Sequence, residues 1–281
     1  MTRCFFVSDL HGHLDRYEKL FRQILDHKPE IVFFGGDLLP HGMHRNLDDD
    51  FTEDYLFVHL EGLKSEMGEN YPTVYLILGN DDPKTEEKKF IGLSGTGVWN
   101  YLHNRKSSSH GYSFYGYANI PPTPFRFKDW ERFDVSRFVD PGCYAPYEGF
   151  HSVKPEVDLE FATIQDELKE LTGAGPFDKA LFLFHSPPYK SSLDRAALDG
   201  KSFDHVPLDV HVGSIAIMRF IEEKQPLVTL HGHVHESSRI TGHWSQTIGK
   251  THAFSAAWDG PELALVEFDL DNPAHSKRHL I

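Results

Sequence analysis

Cysteine, positive charge and long apolar runs are all scarce in this chain, and each scarcity closes off a class of protein. Two cysteines in 281 residues, Cys4 and Cys143, cannot build a disulfide framework or a four-cysteine zinc site. No apolar run approaches the ~20 residues that a membrane span needs. Nothing near the start reads as an export signal, because Met1-Thr2-Arg3 leads directly into Cys4-Phe5-Phe6-Val7 and Asp9 interrupts the apolar stretch. A cytoplasmic protein with two free thiols is therefore expected. The 28 lysines and arginines stand against 42 acids, a formal charge of −14. No basic run is longer than the pairs Lys88-Lys89 or Lys277-Arg278, so a phosphate-gripping basic face is not expected and nucleic acid is disfavoured as a partner. Acids clustered around bound cations would still make a locally positive field.

What is present is a repeated unit: a short β-branched or aromatic run, a polar stop, then often a helix. Strands are expected at Arg3 to Ser8, Ile31 to Phe34, Thr73 to Leu78, Ala180 to Phe184 and Leu227 to Leu230. Leu14, Tyr17, Leu20, Phe21, Ile24 and Leu25 fall on one helical face, and further helices are expected over Tyr55 to Met67, Val157 to Leu171 and Ile215 to Glu223. Continuous apolar strands alternating with helices predict an α/β fold with a sheet covered on both faces. Near the end, Ala253 to Ala256 and Leu263 to Asp269, joined around Asp259-Gly260-Pro261, read as antiparallel strands closing a second sheet. One domain is expected over 1–281. A long insertion at about 92–175 is the candidate substrate cap, although Tyr112 to Tyr117 within it read better as more sheet.

The strand ends carry the chemistry. Asp9 and His11 follow the first strand, Asp37 the second, Asn80 the third, His185 the fourth, and His233 and His235 the fifth. Ligands collect beyond the carboxyl ends of strands in open α/β sheets, so this order would bring seven oxygen and imidazole donors together. Seven are too many for one tetrahedral ion and suit two adjacent cations. Taken singly, each piece is weak: Gly-Asp and Gly-Asn-Asp are ordinary turn signals, and a lone histidine is more often packing. Other apparent motifs fail. Thr247-Ile248-Gly249-Lys250-Thr251 lacks the glycine of a phosphate-binding loop, with Trp244 in its place, and Ser186 precedes two prolines and makes no nucleophile elbow.

As a set, Asp9-Leu10-His11-Gly12, Gly36-Asp37, Gly79-Asn80-Asp81-Asp82, His185 and Gly232-His233-Val234-His235 resembles the calcineurin-like metallophosphoesterase superfamily. The resemblance implies a four-layer αββα sandwich, two mixed β-sheets flanked by helices. It implies one metal held by Asp9, His11, Asp37 and His235, and a second held by Asp37, Asn80, His185 and His233, with Asp37 shared. It further implies hydrolysis of a small phosphodiester or phosphomonoester by a metal-activated water, with manganese favoured and iron, zinc or cobalt as other fits. His231 precedes the matched glycine and is not among the ligands.

The superfamily usually carries a histidine after the asparagine, thought to protonate the leaving group, and here that position is Asp81. Three readings stand level: Asp81 and Asp82 share a proton, His41 or His13 is the acid, or Asp81 only shapes the turn. Arg45 is a candidate phosphate contact. A nuclease of the same fold and a non-catalytic metal-binding scaffold are the competing functions. The acidic balance weighs against the first and the full ligand set against the second.

Overall fold

The computed structural model describes residues 2–40 and 50–281, so the expected roles of His41 and Arg45 lie outside the described residues. The strands in chain order are β1 (Arg3–Val7), β2 (Ile31–Gly35), β3 (Thr73–Ile77), β4 (Asn100–Tyr101), β5 (Arg105–Ser109), β6 (Tyr112–Tyr117), β7 (Ala180–Phe184), β8 (Ser202–Phe203) and β9 (Val206–Pro207). They continue with β10 (Val228–His231), β11 (Ser245–Ile248), β12 (Thr251–Ser255), β13 (Ala264–Asp269) and β14 (Lys277–Leu280). Two six-stranded sheets result, in the orders β14-β13-β1-β2-β3-β4 and β11-β12-β10-β7-β6-β5, and β8 with β9 forms a separate small hairpin. Both sheets are mixed. Strands β1 to β4 run parallel while β13 joins β1 antiparallel; β6, β7, β10 and β12 run parallel with antiparallel edges β5 and β11.

The two sheets pack face to face through aromatic side chains. Phe33 and Tyr75 of the first sheet meet Phe114 of the second at ring distances of 5.7 and 4.8 Å, and Phe254 meets Phe268 at 5.4 Å. Truncating such a buried ring to alanine costs about 3–5 kcal/mol. Helix α1 (Leu14–His27) buries Tyr17, Leu20, Phe21 and Ile24 on the outside of the first sheet. A π-helical segment, Phe51–Phe57, runs into α2 (Val58–Met67) beside it, so the helix expected from Tyr55 begins earlier and with a wider turn. Helix α3 (Glu87–Ser94) covers the same flank through Phe90 and Trp99. Helices α4 (Ile164–Thr172) and α5 (Ile215–Lys224) cover the outside of the second sheet, where Phe182, Phe184 and Phe220 form one cluster. A single turn, α6 (Ser237–Thr241), follows the last histidines. The layers are helix, sheet, sheet, helix, as the resemblance implies. Among the described residues no helix is long and apolar enough to cross a membrane.

Two expectations need correction. The helix expected from Val157 starts only at Ile164, because the Thr163 hydroxyl accepts the Asp166 N–H and caps it there. The strands around Ala253 and Leu263 are not partners: β12 lies in the second sheet beside β10, and β13 lies in the first beside β1. The intervening Asp259-Gly260-Pro261 carries the chain from one sheet to the other, rather than turning it back on itself. Within the insertion Tyr112 to Tyr117 form sheet as expected, in β6, and the segment also supplies β4 to the first sheet and β5 to the second. Its longest irregular stretch is residues 118–163.

Candidate metal centre

The strand ends of both sheets meet at one edge of the sandwich. There the backbone leaves extended geometry abruptly, and Asp9, His11, Asp37 and His233 all take positive φ, between 47° and 73°. Side chains with a Cβ reach that region at a cost, and its concentration at one place is typical of a site whose geometry is imposed by its surroundings. Backbone bonds fix the strained loops to one another: Asp9 N–H donates to Gly36 O at 3.0 Å and His11 N–H to Asp37 O at 2.8 Å. Two glycines let the loops close. A Cβ on Gly79 would strike Asp37, and one on Gly232 would strike Ser8 and Asp9.

Asp9, His11, Asp37 and His235 each place a donor atom within 4.8 Å of the others. His11 Nε2 lies 3.2 Å from His235 Nε2, and His235 Nε2 lies 3.1 Å from Asp9 Oδ1. A second group adjoins it. His185 Nδ1 donates to Gly35 O at 2.8 Å, so Nε2 points at Asn80 Oδ1, 2.9 Å away, and at Asp37 Oδ2, 3.3 Å away. Three electron-rich atoms therefore converge there, and either a proton on Nε2 or a cation in its place reconciles them. Asp37 Oδ2 is also 4.0 Å from His11 Nε2, which puts that carboxylate between the two groups. His233 enters differently. Its backbone N–H donates to both Asp9 oxygens, at 3.0 and 3.2 Å, and its ring stands 5.3 Å from that of His185.

The electrostatics make the same demand. Burial raises the Asp9 carboxyl, but the His235 charge and hydrogen bond outweigh it and hold the group down at about 2. Burial opposes protonation of His185 and His235, yet the neighbouring Asp37 and Asp9 carboxylates lift them to about 10 and about 9. His233, buried beside His185, is pushed down to about 3. Protons on His185 and His235 thus balance the buried carboxylates, divalent cations would take the place of those protons, and the mixed oxygen and nitrogen donors fit cations of the manganese-to-zinc series.

The turn Gly79 to Asp82 is built for support. Asp82 is fully buried, and its two oxygens accept backbone N–H bonds from Leu38, Leu39 and Gly79 at 2.8–3.1 Å. Burial and the Asp37 charge nevertheless push its carboxyl up, to about 8. Its oxygens are thus committed to backbone N–H groups of the Asp37 loop and of its own turn. Asp81 instead accepts the Asn80 amide N–H at 2.9 Å, which turns Asn80 Oδ1 towards His185, while its own N–H donates to Asp37 Oδ1 at 2.8 Å. Its side chain is 36% exposed and its carboxylate lies 3.9 Å from His11 Nδ1. His13 sits at the start of α1, where its backbone carbonyl accepts from Arg16 and Tyr17. His231 is satisfied within the core, bonded to Ser186 O and the Thr229 hydroxyl.

Two supporting groups left no mark in the sequence. Arg16, one helical turn into α1, donates to Asp9 O at 2.9 Å and to Gly260 O at 2.6 Å, tying the first ligand loop to the sheet-crossing segment. Asp194 is buried and accepts from Lys190, Ser191, His211 and Gly213, shaping the loop after β7. Neither residue stands at a recognisable spacing from a ligand.

The comparisons with known proteins agree with this geometry. A solved crystal structure with no protein named in its description aligns over 99% of this chain and 98% of its own, at 17% identity and a TM-score of 0.61. TT1561 of Thermus thermophilus aligns over 99% and 98% at 15% identity and a TM-score of 0.55. A dimetal phosphatase from Danio rerio aligns over 94% and 91% at 12% identity and a TM-score of 0.50. At such identities the likeness is one of fold. No curated protein matches the sequence significantly. The profile described as calcineurin-like phosphoesterase matches residues 2–237, nearly the whole chain and every residue of the centre, and the chain belongs to that family.

Proposed function

We propose that this protein is a dinuclear metal-dependent phosphoesterase that hydrolyses a phosphodiester or phosphomonoester of a small molecule. One cation would be held by Asp9, His11, Asp37 and His235, the other by Asp37, Asn80, His185 and His233. Manganese is the favoured metal, with iron, zinc or cobalt also compatible with the donors. The observation that carries the reading is the His185 Nε2 atom, aimed at Asn80 Oδ1 and Asp37 Oδ2 with its other nitrogen already committed to Gly35. A cation is the partner that satisfies all three. The Danio rerio relative is described as a dimetal phosphatase, which supports two ions here.

When bound, the two cations would supply Lewis acidity and lower the pKa of an attacking water. The chain's part is to fix geometry. Gly35 sets the His185 tautomer, Asp81 sets the Asn80 amide, and Asp82 locks the Asn80 turn against the Asp37 loop. The irregular part of the insertion, residues 118–163, is the proposed cap over the substrate. Both cysteines are free, consistent with a cytoplasmic setting.

Assays on p-nitrophenyl monoesters and diesters with Mn, Fe, Zn or Co added to the purified protein test the proposal. Turnover is expected with at least one metal, and Asp37→Asn should lower kcat by about 10³-fold or more. Absence of turnover with every metal, together with trace metal content, would favour a scaffold. Cleavage of DNA lost in Asp37→Asn would move the substrate class to nucleic acid.

A further inference from the structure

A cavity of about 460 Å³ opens beside His233, between the irregular part of the insertion and the loop that follows β7. Val135 and Phe138 come from the insertion, and Phe203, Leu208 and Val212 from the loop. Phe138 and Phe203 are 69% and 50% exposed and both line this one cavity, which sets apolar rings at its mouth. Phe203 is held at the rim by the β8–β9 hairpin, packed over Gly142.

The carboxylates of Asp134, Asp140 and Asp209 outnumber the two imidazoles, His211 and His233, in the lining of the cavity. Asp140 and Asp209 both line it, and burial together with the Asp209 charge pushes the Asp140 carboxyl up. Asp209 is held by the Tyr189 hydroxyl at 2.6 Å and the His211 N–H at 2.9 Å. Asp134 also lines the cavity, but its carboxylate is spent on the start of α5, accepting from Ser214, Ile215 and Ala216. Among the described lining residues there is no lysine or arginine. An anionic group near Asp140 and Asp209 would therefore meet like charge, offset only by His211 in the lining and by Lys190 beside Asp209.

We infer that this cavity receives the organic group of the phosphate ester, and that it selects an apolar, ring-sized group without negative charge. This rests on the phosphoesterase reading for its chemistry and adds the class of substrate. The phosphate would lie at the metal centre, and the ester's carbon skeleton would extend past His233 into the cavity. Nucleotides and sugar phosphates bearing further anionic groups would be rejected at Asp140 and Asp209.

The test uses the metal-loaded protein and three p-nitrophenyl phosphodiesters whose second ester group is methyl, phenyl or 4-carboxyphenyl. The phenyl ester should exceed the methyl ester in kcat/KM by about tenfold, and the carboxyphenyl ester should lose that gain. In Phe203→Ser, a change at an exposed position that leaves the core intact, the phenyl-to-methyl ratio should fall towards one. In Asp140→Lys, the carboxyphenyl-to-phenyl ratio should rise about tenfold. Binding of the neutral fluorophore N-phenyl-1-naphthylamine to the same protein is the readout independent of turnover, expected in the wild type and weakened in Phe203→Ser. A wild-type phenyl-to-methyl ratio near one, or fluorophore binding indifferent to Phe203→Ser, overturns the assignment. Fluorophore binding lost in Phe203→Ser, with no diester hydrolysed at all, would support the cavity and refute the phosphoesterase reading.

Discussion

Burial makes neutral histidines as well as cation-seeking ones in this protein, and His103 is the clearest case outside the centre. It is 6% exposed, its Nδ1 accepts the Ala118 N–H at 2.9 Å, and its ring meets Trp130 edge-on at 5.0 Å. Burial, followed by the charges of Lys84 and Arg132, depresses its pKa well below the ordinary histidine value. An unfolded histidine titrates at ~6.5, so the unfolded chain takes up a proton on acidification before the folded chain does. The His103 contribution is thus complete above that pH and is lost as pH falls towards the folded value. Urea unfolding at pH 7.5 and 5.0 should show a steeper loss in the wild type than in His103→Gln; equal losses would sink the argument. Residues were legible in the sequence where chemistry and position coincided. Asp9, Asp37, Asn80, His185 and the His233-Val234-His235 pair all end strands, and strand ends are where a doubly covered sheet gathers its ligands. The backbone bonds of Asp82 were not legible, because their donors lie more than 40 residues away, at Leu38 and Leu39, which no local spacing records.

At the scale of elements, the start of α5 shows how the irregular insertion is fastened. Ser214 caps the helix through the Ile217 N–H at 3.1 Å, and Asp134 from the insertion accepts from Ser214 Oγ, Ile215 N and Ala216 N. One carboxylate thus closes a helix end and anchors the loop that lines the cavity, with the helix dipole favouring its charge. Asp134→Ala should lower global stability by about 2 kcal/mol, measured as a shift in the denaturant midpoint at constant slope. A shift near zero would mean that water replaces the carboxylate without cost. The helix itself was legible from its apolar spacing, and so were the buried strands. Edge elements were not: Lys277–Leu280 and Ser245–Ile248 are polar, and they pair only because a sheet margin is there to receive them. The partners of β12 and β13 were equally hidden, since two apolar strands with a turn between them also describe a hairpin.

For the molecule as a whole, folding gathers carboxylates and imidazoles from both sheets at one edge, where a divalent cation would bind them in place of the protons on His185 and His235. A divalent cation should therefore stabilise the entire sandwich. At a free concentration a hundredfold above its Kd, Mn would contribute ~2.7 kcal/mol, roughly 5–10 °C in Tm for a chain of this size. Calorimetric scans with and without Mn check this, and Asp9→Asn should erase most of the gain; an identical gain in the variant would place the stabilising ion elsewhere. The acidic balance that argued against a nucleic-acid grip has in part the same root, because several of the acids face the ion site or the cavity. The passage of the chain from β12 to β13 also sets an order of events. Strand β1, which delivers Asp9, is flanked on one side by β2 and on the other by β13, made more than 250 residues later. Until β13 has been made, the strand that delivers Asp9 has only β2 to pair with, and its other edge stays open.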